Sequence, residues 1–536
     1  MAIAQSPYPP DVDAHLWRAY RHIEGRLKIG LMLPRTDRAP LWVARILNLL
    51  IAETSVKLDV VYRLNGFIEP PSSPSGLLKP LWRWSEKQAA PLAEVPIATK
   101  PACCFVDIAC DASSELTEGS RQSIAKRNLD VLVCLSGVPP TGNASGLARH
   151  GVWWFSLGEP TENSGDPPYW REIVTEAPVS QIALLRSDRD FASAEIVSRH
   201  SEPTRIGWRL TETAEALTSI AGPMLIRGFL DLLANVQTGM APIQAPASRH
   251  TNSSASGSLR FLLARAQHSW SVRTRGRSTN RWFLAMRPHG AESFWPVPKP
   301  RGSEFADPFA AEQDGRHFVF FEEVPAGSAR GRISALEVLG PGECDLPFPV
   351  LEAKHHLSYP AVFKNNGEWF LLPESSASHQ VSLYRAARFP DNWEHCANLV
   401  ENLPVVDTTP FHLDGTWYFF TTTRAPNVET FLFYSDRLDG RWHYHPSNPV
   451  CSEAVCARGA GQLFFADGKL FRPSQDHSSG YGSGIVLNEI LRLTRSEYEE
   501  WPFRTIRPDW QPGLIGTHTL NRDSLYEFVD GLRRER

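Results

Sequence analysis

The stretch Thr408-Thr409-Pro410-Phe411-His412-Leu413-Asp414-Gly415-Thr416-Trp417-Tyr418-Phe419-Phe420-Thr421-Thr422 joins a short apolar strand to an aromatic-rich strand through Asp-Gly. An Asp-Gly or Asn-Gly pair supplies the positive-φ positions that a tight hairpin needs. The phrase recurs as DPFAAEQDGRHFVFFEE (307–323), PAVFKNNGEWFLLPES (360–375) and AGQLFFADGKLFRPSQ (460–475). Its turn glycines, Gly315, Gly367, Gly415 and Gly468, are 52, 48 and 53 residues apart. Further strand-like text follows the copies, such as VSLYRAARF, ETFLFYSD and GIVLNEILRL. About four strands per unit at this period describe a propeller blade. Four copies leave the ring open. The closing hairpin GTHTLNRDSLYEFVDG (516–531) and the lone strand NRWFLAMRP (280–288) can pair into a fifth blade, which removes the exposed sheet edges.

Outward from this half the texture changes. The segment TGMAPIQAPASRHTNSSASG (238–257) has no apolar periodicity and reads as a linker or surface excursion. Before it, LKIGLML (27–33), LDVVYRL (58–64) and LDVLVCLSG (129–137) are apolar throughout, and LWVARILNLLIAE (41–53) has helical spacing. Such runs, alternating with helices, imply a parallel sheet covered on both faces. The expected organisation is multidomain: a Rossmann-like α/β domain over 25–237, a linker over 238–279 and an all-β five-bladed propeller over 280–536. A length of 536 residues fits more than one core.

Composition narrows the function. A net charge of -4 gives no electrostatic reason to expect nucleic acid or an anionic membrane as partner. The 17 Trp are numerous; most should fill the wedges of a β-rich core, and a few could stack on sugar rings. The eight cysteines (103, 104, 110, 134, 344, 396, 451 and 456) form no CxxC pair, zinc spacing or disulfide framework. They read as scattered thiols of a reducing compartment. The N-terminus lacks a basic region followed by an apolar run, and no window approaches 18 uninterrupted apolar residues. The expectation is therefore a cytoplasmic protein without a signal peptide or transmembrane segment. No metal or cofactor is expected. No GxGxxG or GxxxxGK[ST] nucleotide fingerprint occurs.

Two stretches resemble the five-bladed furanosidase propellers, the arabinanase, xylosidase and invertase-like glycoside hydrolases. They are Ala306-Asp307-Pro308-Phe309 and Val406-Asp407-Thr408-Thr409-Pro410-Phe411. The resemblance implies three channel carboxylates: a base at Asp307, a pKa-tuning group at Asp407 and a general acid. Where that family places its acid, this chain reads Val455-Cys456-Ala457-Arg458-Gly459-Ala460-Gly461. A guanidinium does not donate a proton at neutral pH but can hold a phosphate or carboxylate. Glu374 and Glu489 are possible substitutes for the acid. With HLSYPAVF, PES, RPSQD and LNEI, residues 280–531 are still more similar to the N-terminal propeller module of plant glucosamine inositolphosphorylceramide transferases. That resemblance implies handling of glycans or glycolipids.

The polar cluster Arg472, Gln475, Asp476, His477, Tyr481, Asn488 and Glu489 has two readings. These groups cap turns and pair between blades, or they line the channel mouth and bind sugar hydroxyls. His518 reads as a core histidine more readily than as a catalytic one.

Residues 27–233 resemble a folate-dependent formyltransferase domain through LKIGLML, LDVLVCLSG, ARHGVWWFSLGEP (148–160) and RSDRDFASAEIV (186–197). That family uses an Asn-x-His motif and an Asp. Here Trp154-Phe155-Ser156 and Ala192 stand at those positions, so an inactive binding or structural domain is expected. Function therefore divides three ways. The first is a sugar-transfer enzyme of glycan or glycolipid assembly acting on a sugar nucleotide or glycan, with Asp307 and Asp407 catalytic and Arg458 on an anionic group. The second is a non-catalytic glycan-binding or scaffold protein. The third is a sugar-nucleotide formyltransferase.

Overall fold

A computed structural model describes residues 25–34, 38–65, 94–96, 104–111, 113–136, 139–159, 168–189, 193–205, 212–235, 243–244 and 279–535, apart from 402, 404 and 425–427. The chain divides into two compact units near residue 274. Apart from Ile243–Gln244 and Thr279, the expected linker lies outside the described residues, as does Ala192.

The N-terminal unit is built on an eight-stranded sheet. Leu27–Leu33 lies between Val56–Asn65 and Val131–Cys134, and all three run parallel. Cys104–Ala109 extends the parallel run on one side and Val152–Leu157 on the other. This order explains why the strands read as apolar throughout: Ile29, Val60, Val131 and Val152 have essentially no exposed surface. The sheet then departs from the all-parallel expectation. Val179–Ser187 pairs antiparallel with both Val152–Leu157 and Ser193–Pro203, so the sheet is mixed.

Helix Leu41–Ala52 buries Trp42, Val43, Ile46, Leu47 and Leu50, as its spacing requires. One helical run was not legible as such. Glu212–Leu233 is 22 residues long with a mean hydropathy of 1.4, enough by length and composition to cross a membrane, and 78% of its apolar window is buried in the protein.

The C-terminal unit is a five-bladed propeller made of five separate antiparallel sheets. Blade one comprises Glu304–Gln313, Arg316–Val324 and Arg332–Gly340, with short outer strands. Blade two comprises Ser358–Asn365, Glu368–Glu374, Gln380–Arg388 and Asn392–Glu401. Blade three comprises Val405–Leu413, Thr416–Thr423, Thr430–Ser435 and His443–Tyr444. In blade four the inner strand is broken into Arg458–Gly459 and Phe464–Ala466, followed by Lys469–Asp476, Gly484–Leu493 and Tyr498–Ile506.

Blade five joins both ends of the unit. Leu520–Arg522 and Tyr526–Glu535 form the expected hairpin, and Thr279–Pro288 pairs along the whole of the last strand, from Thr279 opposite Glu535 to Pro288 opposite Tyr526. The four recurring turns place Asp314-Gly315, Asn366-Gly367, Asp414-Gly415 and Asp467-Gly468 at φ between +48° and +85°. These are the values that a two-residue hairpin of this hand requires. Aromatic side chains fill the wedges between blades. Phe320, Trp369, Phe389 and Trp393 pack between blades one and two, and Phe363 meets Trp417 between blades two and three.

Candidate functional site at the propeller mouth

The innermost strands of blades one to three begin alike. Asp307, Tyr359 and Asp407 stand at the same distance before their turn glycines, and each has a positive φ, +52°, +44° and +52°. Each also sits in a break of the strand register, between Ala306 and Phe309, Ser358 and Ala361, and Val406 and Thr409. A left-handed, non-glycine residue in a bulge costs about 1–2 kcal/mol and re-aims its side chain out of the strand's alternation. Here all three side chains bond to residues of other blades. Tyr359 was not singled out in the sequence, although its spacing from Gly367 matches that of the two aspartates.

Asp307 is 6% exposed and bridges three blades. Its Oδ1 accepts from Thr519 Oγ1 at 2.8 Å, and its Oδ2 accepts from the Tyr359 N–H at 3.2 Å. His518 Nε2 lies 3.7 Å from Oδ1, and His518 Nδ1 lies 2.5 Å from Asp530 Oδ2. Asp530 has no exposed surface and accepts from the backbone N–H groups of His518 and Thr519 at 2.7 and 3.0 Å. Burial lifts the Asp307 carboxyl to about 7 against the pull of His518, with Glu322, Asp407 and Asp530 pushing the same way. Burial alone would lower His518, but Asp530 and then Asp307 outweigh it and hold the ring at about 9. The donor atoms of Asp307, His518 and Asp530 lie within 4.8 Å of one another, an arrangement that suits a cation as well as a proton.

The sequence-derived candidates separate clearly. Asp407, 3% exposed, is paired with Arg458, whose Nε lies 2.5 Å from Asp407 Oδ2. Arg458 thus neutralises a carboxylate of its own chain. Glu374, partly buried at the end of its strand, accepts from Ser358 Oγ at 3.1 Å. Burial, then the charge of Asp407, raises its carboxyl to about 8 in spite of Arg458, so Glu374 carries a proton at neutral pH. Gln475 donates to the Gly459 carbonyl at 2.8 Å and lies 2.8 Å from His477 Nε2. Tyr481 sits under the Arg458 guanidinium, 5.1 Å from ring centroid to carbon.

Three candidates do not reach the mouth as ligand-binding groups. Glu489 lies on the third strand of blade four, paired with Lys469 at 2.8 Å and opposite Trp501. Arg472 is 2% exposed and makes two bonds to Glu500, at 2.8 and 2.6 Å, and one to the Cys456 carbonyl. Asp476 is buried and caps the following loop through the Ser478 N–H at 2.8 Å. Spacing in sequence brings Glu489 near the other polar residues, but its strand, Gly484–Leu493, lies outside the inner two of blade four.

Residues missed in the sequence complete the mouth. Glu322, opposite Ala306, is 3.0 Å from His356 Nε2, while His356 Nδ1 accepts from the Gly331 N–H at 2.9 Å. Tyr359 is fully buried; its hydroxyl accepts from the Gly461 N–H at 2.7 Å and lies 2.8 Å from Thr409 Oγ1. One side chain of blade two thereby bonds to blades three and four.

In the N-terminal unit, Trp154 and Phe155 are buried in the sheet and Ser156 Oγ approaches the Gly158 carbonyl at 3.4 Å. Neither an amide nor an imidazole stands at these positions. The seven cysteines among the described residues are free thiols.

Residues 298–507 match the family profile described as glucosamine inositolphosphorylceramide transferase 1, N-terminal. Curated proteins named glucosamine inositolphosphorylceramide transferase 1 align with the chain. The one from Oryza sativa subsp. japonica is 34% identical over 239 residues, 41% of this chain and 32% of its own length. The one from Arabidopsis thaliana is 32% identical over 203 residues, 36% of this chain and 26% of its own. The aligned region thus spans a quarter to a third of the length of these relatives. Among solved structures, the catalytic domain of the Coprinopsis cinerea GH62 alpha-L-arabinofuranosidase aligns with a TM-score of 0.35 and 12% identity, covering 47% of this chain and 97% of that one. The family 117 glycoside hydrolase Zg3597 from Zobellia galactanivorans aligns with a TM-score of 0.33 and 12% identity, covering 46% and 90%.

Proposed function

We propose that this protein takes part in sugar transfer during glycan or glycolipid assembly, and that the propeller mouth holds the reacting sugar. The observation that carries the reading is the Asp307 carboxyl, which is oriented by Thr519 and the Tyr359 N–H and titrates near 7. A base with that pKa can take a proton from a sugar hydroxyl at neutral pH and release it again. Glu374, protonated at the same pH, donates a hydrogen bond or a proton to the sugar. The Asp407–Arg458 pair acts on Glu374, the aspartate raising its carboxyl and the guanidinium lowering it. The relatives' names support a glycolipid as acceptor. The free thiols fit a reducing, cytoplasmic setting.

The test is transfer measured on a panel of sugar nucleotides with glycan and glycolipid acceptors. Asp307→Asn and Glu374→Gln should each lower turnover by roughly 10²–10⁴-fold. If both variants keep wild-type turnover, the catalytic reading is wrong. The engagement of Asp407 by Arg458 favours a second reading, a non-catalytic glycan-binding propeller. Glycan binding without turnover in the unaltered protein would select it.

A further inference from the structure

The rim of the mouth carries aromatic rings that proton transfer does not use. Tyr481 is 52% exposed, although His477, His518 and Trp282 surround it with ring centroids 5.3, 5.4 and 6.4 Å away. Trp282 and His518 meet it edge-on, at 90° and 74°. Trp282 itself stacks on His518 at 4.0 Å and 17°. The loop bearing Tyr481 is held at both ends, by the Ser478 N–H on Asp476 Oδ1 and by Ser483 Oγ on the Asp476 carbonyl, each at 2.8 Å. Between them Gly482, at φ +63°, packs so closely that a Cβ would press on His518 at 3.0 Å and on Trp282 at 3.2 Å. The outcome is a half-open aromatic ring in one orientation, beside the carboxyl-lined mouth. That pairing suits a sugar, whose C–H face stacks on the ring while its hydroxyls reach the carboxyls.

The charges at the mouth decide which part of a transfer reaction fits. A nucleoside diphosphate needs unengaged cations, a helix N-terminus or a metal. Arg458 is paired with Asp407 through Nε and His518 with Asp530 through Nδ1, each at 2.5 Å, so both charges are already opposed. His356 Nε2 lies 3.0 Å from Glu322, whose bond raises the ring above its ordinary value, so the charge it carries is already opposed by a carboxylate. His477 is pulled down to about 3, by burial first and then by Arg458, and adds no positive charge. Without a divalent cation at Asp307, His518 and Asp530, a diphosphate would therefore meet carboxylates. An uncharged ring would not be opposed.

Building on the sugar-transfer reading, we infer that the mouth is the acceptor subsite: it stacks an uncharged sugar or cyclitol ring on Tyr481, and the diphosphate of a nucleotide-sugar donor is held elsewhere. The experiment is ligand-observed NMR and calorimetry on the full chain. The probes are methyl glycosides of N-acetylglucosamine and mannose, free inositol, UDP and UDP-N-acetylglucosamine. At least one neutral probe should bind, and UDP should not displace it, with or without Mg²⁺ or Mn²⁺. Tyr481→Ala should weaken that binding about three- to ten-fold, the worth of one aromatic contact, and Tyr481→Phe should restore it. Trp501→Ala, on the outer strand of blade four, serves as the control and should change nothing. Displacement of the neutral probe by UDP, or full binding by Tyr481→Ala, overturns the acceptor assignment and leaves the sugar-transfer reading standing. If no probe binds, both readings fall.

Discussion

Asp307, Glu374 and His518 make the propeller's stability depend on pH in one direction. The two carboxyls have folded values of about 7 and 8, above their unfolded values near 4, so the folded state binds extra protons between about pH 4 and 8 and loses stability as pH rises through that window. The His518 ring, held at about 9, contributes stability that is complete below about 6.5 and disappears as pH rises through 9. Thermal unfolding followed from pH 5 to 9 should show a falling Tm. In Glu374→Gln the decline between pH 5 and 8 should be shallower; an unchanged slope would mean that the carboxyl is not protonated in the fold. The aspartates at these positions were legible because their neighbours repeat a motif. Tyr359 was not, because a phenol does not look like a carboxylate even where the spacing to Gly367 is the same. Asp530 and His518 were harder still. They belong to the blade assembled from both ends of the unit, where the repeat has no full copy.

Hairpins and broken strands set the next scale. At Gly367 the backbone is left-handed and nothing lies within 4 Å of an added Cβ, so Gly367→Ala should cost only the conformational penalty, about 1–2 kcal/mol. Gly461 is different. It has φ +129°, and a Cβ there would lie 2.1 Å from the Leu520 carbonyl oxygen and 2.8 Å from Asn521 Nδ2, in the blade-four–blade-five contact. Gly461→Ala should therefore destabilise the propeller by several times more than Gly367→Ala in chemical denaturation. Equal effects would show that the two blades separate freely at this point. The Asp-Gly and Asn-Gly turns made the hairpins readable from sequence. Nothing comparable marks the antiparallel pair Val179–Ser187 and Ser193–Pro203, whose apolar runs look like those of their parallel neighbours until the pairing is known.

At the scale of the ring, closure rests on a single strand pairing. Thr279–Pro288 and Tyr526–Glu535 match over their full lengths and bury Phe283, Leu284, Met286 and Phe528 between adjoining blades. Removing residues 526–536 should abolish the cooperative unfolding of the propeller rather than lower its Tm by a few degrees, because the loss opens two sheet edges and two hydrophobic cores together. Differential scanning calorimetry distinguishes the outcomes. A sharp transition in the truncated protein would show that four blades hold without the fifth. The same pairing has a mechanical side. Thr279 and Glu535 are direct partners at one end of the seam, so tension on the two ends of the unit acts across one rung at a time and peels the seam open like a zip. The Tyr359 hydroxyl, bonded to Thr409 and Gly461, is a rivet at the hub that such a pull does not load first. Under traction the wheel should come undone at its rim while its axle still holds.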